Sequence, residues 1–119
     1  MLGLYVVENF CITLKSEIFH VLSPKRVNIV DFGSEGGYCV AQFAIDPMVK
    51  SITGKEIQYP WVAYSAMILC SIFLQSKTQN THFSGIQLLL GSFLDLSDTT
   101  WMTAVACADI IHCDNWNWW

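Results

Sequence analysis

The stretch Trp61 to Leu74, Trp-Val-Ala-Tyr-Ser-Ala-Met-Ile-Leu-Cys-Ser-Ile-Phe-Leu, carries no charged residue, so something must take it out of water. As a helix, its 14 residues reach about 21 Å at ~1.5 Å per residue. A bilayer core is ~30 Å thick and takes about 20 apolar residues to span. The run is too short for that. The remaining solution is a core helix from Pro60 to about Ser76, because a proline in the first turn gives up an N–H that has no partner there anyway. That helix is apolar nearly all round and should be covered on most sides. A chain of 119 residues builds one core and is too short for two, so residues 1–119 are expected to form a single domain.

The rest of the chain breaks into short segments. Residues 4–14, Glu17 to Leu22, Val27 to Phe32 and Tyr38 to Ile45 each carry β-branched or aromatic residues with partial alternation, and read as strands. Ser23-Pro24 interrupts the second, since proline cannot donate to a ladder. Gly33-Ser34-Glu35-Gly36-Gly37 suits a hairpin with positive φ. Asp46 is placed to cap a helical turn over Met48 to Ile52. Ile86 to Leu96 is open between strand and helix. Ser97 and Asp98 favour a helix start, with Trp101, Val105, Ala108 and Ile111 as an inner stripe ending near Cys113. The expected fold is α+β, an antiparallel meander of about four strands packed against a long apolar helix and a C-terminal helix.

Charge is distributed unevenly. The net charge is −4, yet residues 1–77 hold six acids and all six bases. The whole deficit lies in the last third, in Asp95, Asp98, Asp109 and Asp114, beside Trp116, Trp118 and Trp119. An acidic chain with one adjacent basic pair, Lys25-Arg26, is not built to neutralise nucleic-acid phosphates. An acidic, indole-rich end suits a basic protein partner, because complementary charge speeds encounter and Trp is enriched in interface hot spots. The charged fraction, 13% against an ordinary ~25%, also admits a homo-oligomer that hides surplus apolar surface.

No catalytic or metal set stands out. Five scattered cysteines without C-x-x-C spacing, and a start lacking a basic n-region, read as reduced thiols in a cytoplasmic protein. His112 and Cys113 are adjacent and would point about 100° apart on a helix, with no second ligand pair at metal spacing. None of the cysteines has the electropositive setting that an active thiolate needs. The glycine loop 33–37 lacks a following Lys-Ser/Thr, and a strand rather than a helix is expected next, so it reads as a turn and not as a phosphate cradle. No cofactor and no metal are expected.

Residues 38–85 carry a further pattern: Tyr38-Cys39-Val40-Ala41-Gln42-Phe43-Ala44-Ile45, an excursion ending in Gly54-Lys55-Glu56, the apolar helix, and Phe83-Ser84-Gly85. This layout resembles small α+β immunity proteins of bacterial toxin–immunity pairs, of the contact-dependent inhibition type. The resemblance implies a non-enzymatic, cytoplasmic protein that neutralises a cognate, basic, nuclease-like toxin; it carries over no functional residue. From the charge asymmetry, the contact surface would be Asp95, Asp98, Asp109, Asp114, Trp116, Trp118 and Trp119. Two rivals stay open: a small-ligand-binding module with a pocket between the apolar helix and the sheet, and an enzyme that uses Cys and His.

Overall fold

A computed structural model of the protein describes residues 26–113. Strands and helices alternate: β1 (Val27–Phe32), α1 (Tyr38–Ala44), β2 (Val49–Glu56), α2 (Tyr59–Gln79), β3 (Gly85–Leu90), α3 (Thr99–Cys107) and β4 (Ile110–Cys113). The strands form one sheet in the order β3-β2-β1-β4, and every pairing is parallel.

This overturns the antiparallel meander. Parallel neighbours cannot be joined by a hairpin; each needs a crossover, here a helix. Tyr38–Ala44 is accordingly a helix and not a strand: its buried residues Cys39, Val40, Phe43 and Ala44 recur at helical spacing. Val49–Glu56, expected to begin with a helical turn, is a strand. Asp46 turns the chain into it, accepting from Met48 N at 2.9 Å, without starting a helix. Residues 86–90 resolve as strand within β3, and the last helix stops at Cys107, so that Ile110–Cys113 can pair with β1. The strands expected over 4–14 and 17–22 lie outside the described residues.

The core follows from the register. Ile29 pairs with Ile52 on one side and with Ile110 on the other, and Ile52 pairs with Ile86. One isoleucine from each strand thus forms a row across a single sheet face. Cys39, Val40 and Phe43 of α1 and Leu69 of α2 pack onto that face. β1 lies centrally, so Val27, Ile29 and Val30 are all at most 1% exposed. A strand covered on both faces loses the polar–apolar alternation of a half-exposed one.

Right-handed crossovers from β1 to β2 to β3 put α1 and α2 on this face, whereas the jump from β3 back to β4 carries α3 to the other. There Trp101 is fully buried, 5.1 Å from the ring of Phe32, and its Nε1 donates to the Phe93 carbonyl at 2.9 Å. Covering is uneven. Of the residues of α2, only Ser65, Leu69 and Ser76 are buried, so it is not the enclosed apolar helix expected from its composition. Among the described residues, no helix is long and apolar enough to cross a membrane.

Candidate functional site

The connections from β1 to β2 and β3 run out on one side of β1, and the connection from β3 returns to place β4 on its other side. The strand order therefore reverses between β1 and β4. In open parallel sheets, ligands settle outside the carboxyl ends of the strands at such a point. The residues gathered there are Asp31 at the end of β1, the loop 33–37, Cys39 of α1 and His112 of β4.

The loop is held in an unusual shape. Gly33 (φ 73°), Glu35 (φ 47°) and Gly37 (φ 78°) are all left-handed, a region that costs a β-carbon-bearing residue energy. Several bonds maintain it. Gly33 N and Ser34 N both donate to the Lys55 carbonyl, at 2.9 and 3.2 Å, and Gly37 N donates to Ser34 O at 2.9 Å. Ser65 of α2 donates its hydroxyl to Glu35 O at 2.8 Å. A β-carbon at Gly37 would sit 2.8 Å from Ser65 Cβ, so glycine is required both for φ and for the approach of α2. Gly54 of β2 makes room beneath Ser34, where a β-carbon would come within 2.9 Å.

Glu56 closes β2 and is 2% exposed. One carboxylate oxygen accepts from Glu35 N at 3.0 Å and the other from Gln58 N at 2.9 Å. A carboxylate oxygen accepts more than one bond. Glu56 therefore braces the loop and keeps acceptor capacity at its edge. Behind the loop, Asp31 and His112 are register partners on adjacent strands, 2% and 3% exposed, with His112 Nδ1 2.8 Å from Asp31 Oδ1. On the rim, the Tyr38 and Tyr64 hydroxyls are 3.1 Å apart, and that hydrogen bond pushes the Tyr38 phenol above its ordinary range.

Asp31, Cys39 and His112 bring three atoms of metal-ligating type within 4.8 Å of one another. Cys39, however, is disulfide-bonded. A disulfide sulfur has no thiolate to offer a metal or to use as a nucleophile. The expectation of reduced thiols holds for Cys70 and Cys107, which are free, and fails at Cys39.

The residues singled out from charge do not form one surface. Asp95 accepts from the Ser97 hydroxyl at 2.6 Å and its N–H at 3.0 Å, which lowers its carboxyl pKa. Asp98 caps α3 through Trp101 N at 3.1 Å and takes Lys55 Nζ at 2.6 Å; the lysine bond is the larger cause of its lowered pKa. Asp109 lies at the other end of the sheet, where β4 begins, and accepts from Asn28 N at 2.9 Å. Asp114, Trp116, Trp118 and Trp119 lie outside the described residues.

Sequence reasoning passed over Asp31, Glu56 and the loop between them. A readable signal was present: strand, glycine-rich turn, helix, strand, then an acid 23 residues beyond Gly33. Read as a strand, Tyr38–Ala44 hides that signal, because a ligand loop of this kind leads into a helix.

A groove of about 560 Å³ lies elsewhere, on the α3 face of the sheet. Its polar walls satisfy one another: Ser51 donates to Asn28 Oδ1 at 2.6 Å and Thr53 to Gln87 Oε1 at 3.3 Å. Among the described residues no charged side chain lines it, and its volume alone does not make it the site.

No protein-family model matches the chain, and no curated protein matches it.

Proposed function

We propose that this chain binds an adenosine-containing cofactor with a cationic reactive end, of the S-adenosylmethionine type, and serves methyl transfer. The observation that carries this reading is Glu56, a buried carboxylate at the end of β2 that braces the glycine loop after β1. In sheets of this connectivity, an acid at that position accepts from ribose hydroxyls while the glycine turn lets the backbone come close to the ligand.

Charge selects among adenosine cofactors. A dinucleotide brings a pyrophosphate dianion to the first loop, where it needs positive partners. Among the described residues, the loop and its floor hold Asp31, Glu35 and Glu56, with His112 against Asp31. Lys55, the sequence neighbour of Glu56, turns to the opposite face and is tied to Asp98. An anionic setting favours a ligand bearing an ammonium and a sulfonium. When bound, such a cofactor supplies an electrophilic methyl group. The protein's own part is to orient and desolvate it: Glu56 would hold the ribose, the glycines the chain beside it, and Asp31, hydrogen-bonded to His112, would form the floor. The cleft at the floor is only about 30 Å³, so the ligand would lie along the loop rather than inside it.

Nothing in the comparisons bears on the toxin-neutralising reading. Its support is the charge asymmetry, and Asp95, Asp98 and Asp109 already hold internal hydrogen bonds.

Calorimetric titration with S-adenosylmethionine, S-adenosylhomocysteine and NAD⁺ tests the proposal. The adenosyl compounds should bind, the charged one more tightly, and NAD⁺ should not; Glu56→Gln should weaken binding about tenfold or more. Preference for the dinucleotide, or no binding of either adenosyl compound, would end the reading.

A further inference from the structure

Asp31, Cys39 and His112 come from three elements, the end of β1, the first turn of α1 and β4, and are all at most 4% exposed. Their ligating atoms lie within 4.8 Å of one another. Cys39 Sγ is 3.6 Å, and Asp31 Oδ1 2.8 Å, from His112 Nδ1. A tetrahedral zinc ion holds sulfur at ~2.3 Å, and imidazole nitrogen and carboxylate oxygen at ~2.0–2.2 Å. At the tetrahedral angle, those lengths set sulfur about 3.6 Å and oxygen about 3.3 Å from the nitrogen. The sulfur spacing is already present. The His112–Asp31 pair must open by roughly half an ångström, which exchanging the shared proton for an ion would do. Cys39 Sγ also lies 3.8 Å from Nε2, so the sulfur sits across the ring, and the imidazole must turn to aim a nitrogen at the ion.

We propose, independently of the cofactor reading, that reduction of the Cys39 disulfide turns these three side chains into a zinc site. The disulfide withholds only the sulfur. A thiol or phosphine reductant supplies two electrons, two protons complete two thiols, and the Cys39 thiol releases its proton as it binds the ion. One thiolate, one imidazole and one carboxylate suit zinc, whereas magnesium and calcium take oxygen ligands. Thiolate and carboxylate together also balance the ion's two charges, which a buried site requires. The cleft of about 30 Å³ is lined by the same three residues and by the loop 33–37. That is enough for a water-sized fourth ligand, the open position of a three-ligand zinc site. The chain thus takes up zinc in a reducing medium and not in an oxidising one.

Titration of the full chain with Co²⁺, a spectroscopic stand-in for zinc, tests the site before and after reduction with a phosphine that is then removed. The reduced chain should bind one cobalt ion with a thiolate-to-cobalt charge-transfer band that Zn²⁺ abolishes, and the oxidised chain should show no band. Cys39→Ser should remove the band. Asp31→Asn, which keeps the side chain's shape, should raise the dissociation constant for zinc about tenfold or more. A chain carrying Cys70→Ser and Cys107→Ser, both at exposed positions, should keep the band. A Cys39 disulfide that survives the phosphine in the folded chain, or a reduced chain that takes up no metal, would overturn the proposal. So would equal uptake by the oxidised chain, a band lost with Cys70 and Cys107, or binding indifferent to Cys39→Ser and Asp31→Asn.

Discussion

Lys55 and Asp98 meet at 2.6 Å across 43 residues of chain, joining the end of β2 to the first turn of α3. The contact is lopsided. The lysine side chain is 1% exposed and lies 5.7 Å from the ring of Trp101, while the aspartate is 25% exposed. Removing the carboxylate strands a buried ammonium; removing the ammonium leaves an acid that water can still reach. Asp98→Ala should therefore lower the unfolding midpoint more than Lys55→Met, which keeps the stem's packing. Urea unfolding of the two variants measures the order, and the reverse order would contradict it.

The same carboxylates set an acid limit. The pKa values of Asp95 and Asp98 are lowered, chiefly by the Ser97 hydroxyl and by Lys55 respectively. A pKa depressed on folding gives stability that is complete above the unfolded value, about 3.9, and is lost as pH falls through the folded value. Stability should fall with pH below about 4, and Asp95→Asn with Asp98→Asn should flatten that slope. Urea midpoints measured from neutral pH downwards check it.

Gly37 is constrained twice, by φ 78° and by the 2.8 Å approach of Ser65. Gly37→Ala should cost about 1–3 kcal/mol. Adding Ser65→Gly should restore only the part due to the clash, because the left-handed backbone remains. A double-mutant cycle separates the two contributions, and simple additivity would rule out the contact.

Trp101 fills the α3 face without exposure and spends its indole N–H on Phe93 O. Trp101→Phe should cost about 1–3 kcal/mol from lost volume and an orphaned carbonyl, and Trp101→Ala about 3–5 kcal/mol. Denaturant titration of both variants tests the scale.

The isoleucine row predicts a gradient. Ile29 has strand neighbours on both sides, whereas Ile86 lies on the edge strand and is only partly buried. Ile29→Ala should cost about 3–5 kcal/mol and Ile86→Ala about half that. Equal losses would mean that the row is not the centre of the core.

The elements differ in how far the sequence announced them. Val27–Phe32 was readable as a strand because β-branched residues fill it, and the helix start at Pro60 because proline tolerates only that place in a helix. Pairing direction was not readable. Central parallel strands bury both faces, so Val27, Ile29 and Val30 carry no alternation to distinguish them from a meander. Tyr38–Ala44 misled for a related reason: in a seven-residue helix the two periods overlap, and Cys39, Ala41 and Phe43 suggest a strand face while Cys39, Val40, Phe43 and Ala44 are the residues that are buried. Glu56 could be understood only through that helix. A strand at 38–44 leaves the glycine loop a hairpin and the acid without meaning.

The arrangement of β4 has a consequence for how the chain assembles. Asp31 and His112 are 81 residues apart, yet they lie on neighbouring strands. During synthesis, β1, β2 and β3 can associate well before β4 leaves the ribosome, and meanwhile the far edge of β1 offers unpaired amides beside Ile29. Such an edge recruits any extended chain nearby. Capture of Ile110 by β1 is thus the step that completes the described sheet on that side.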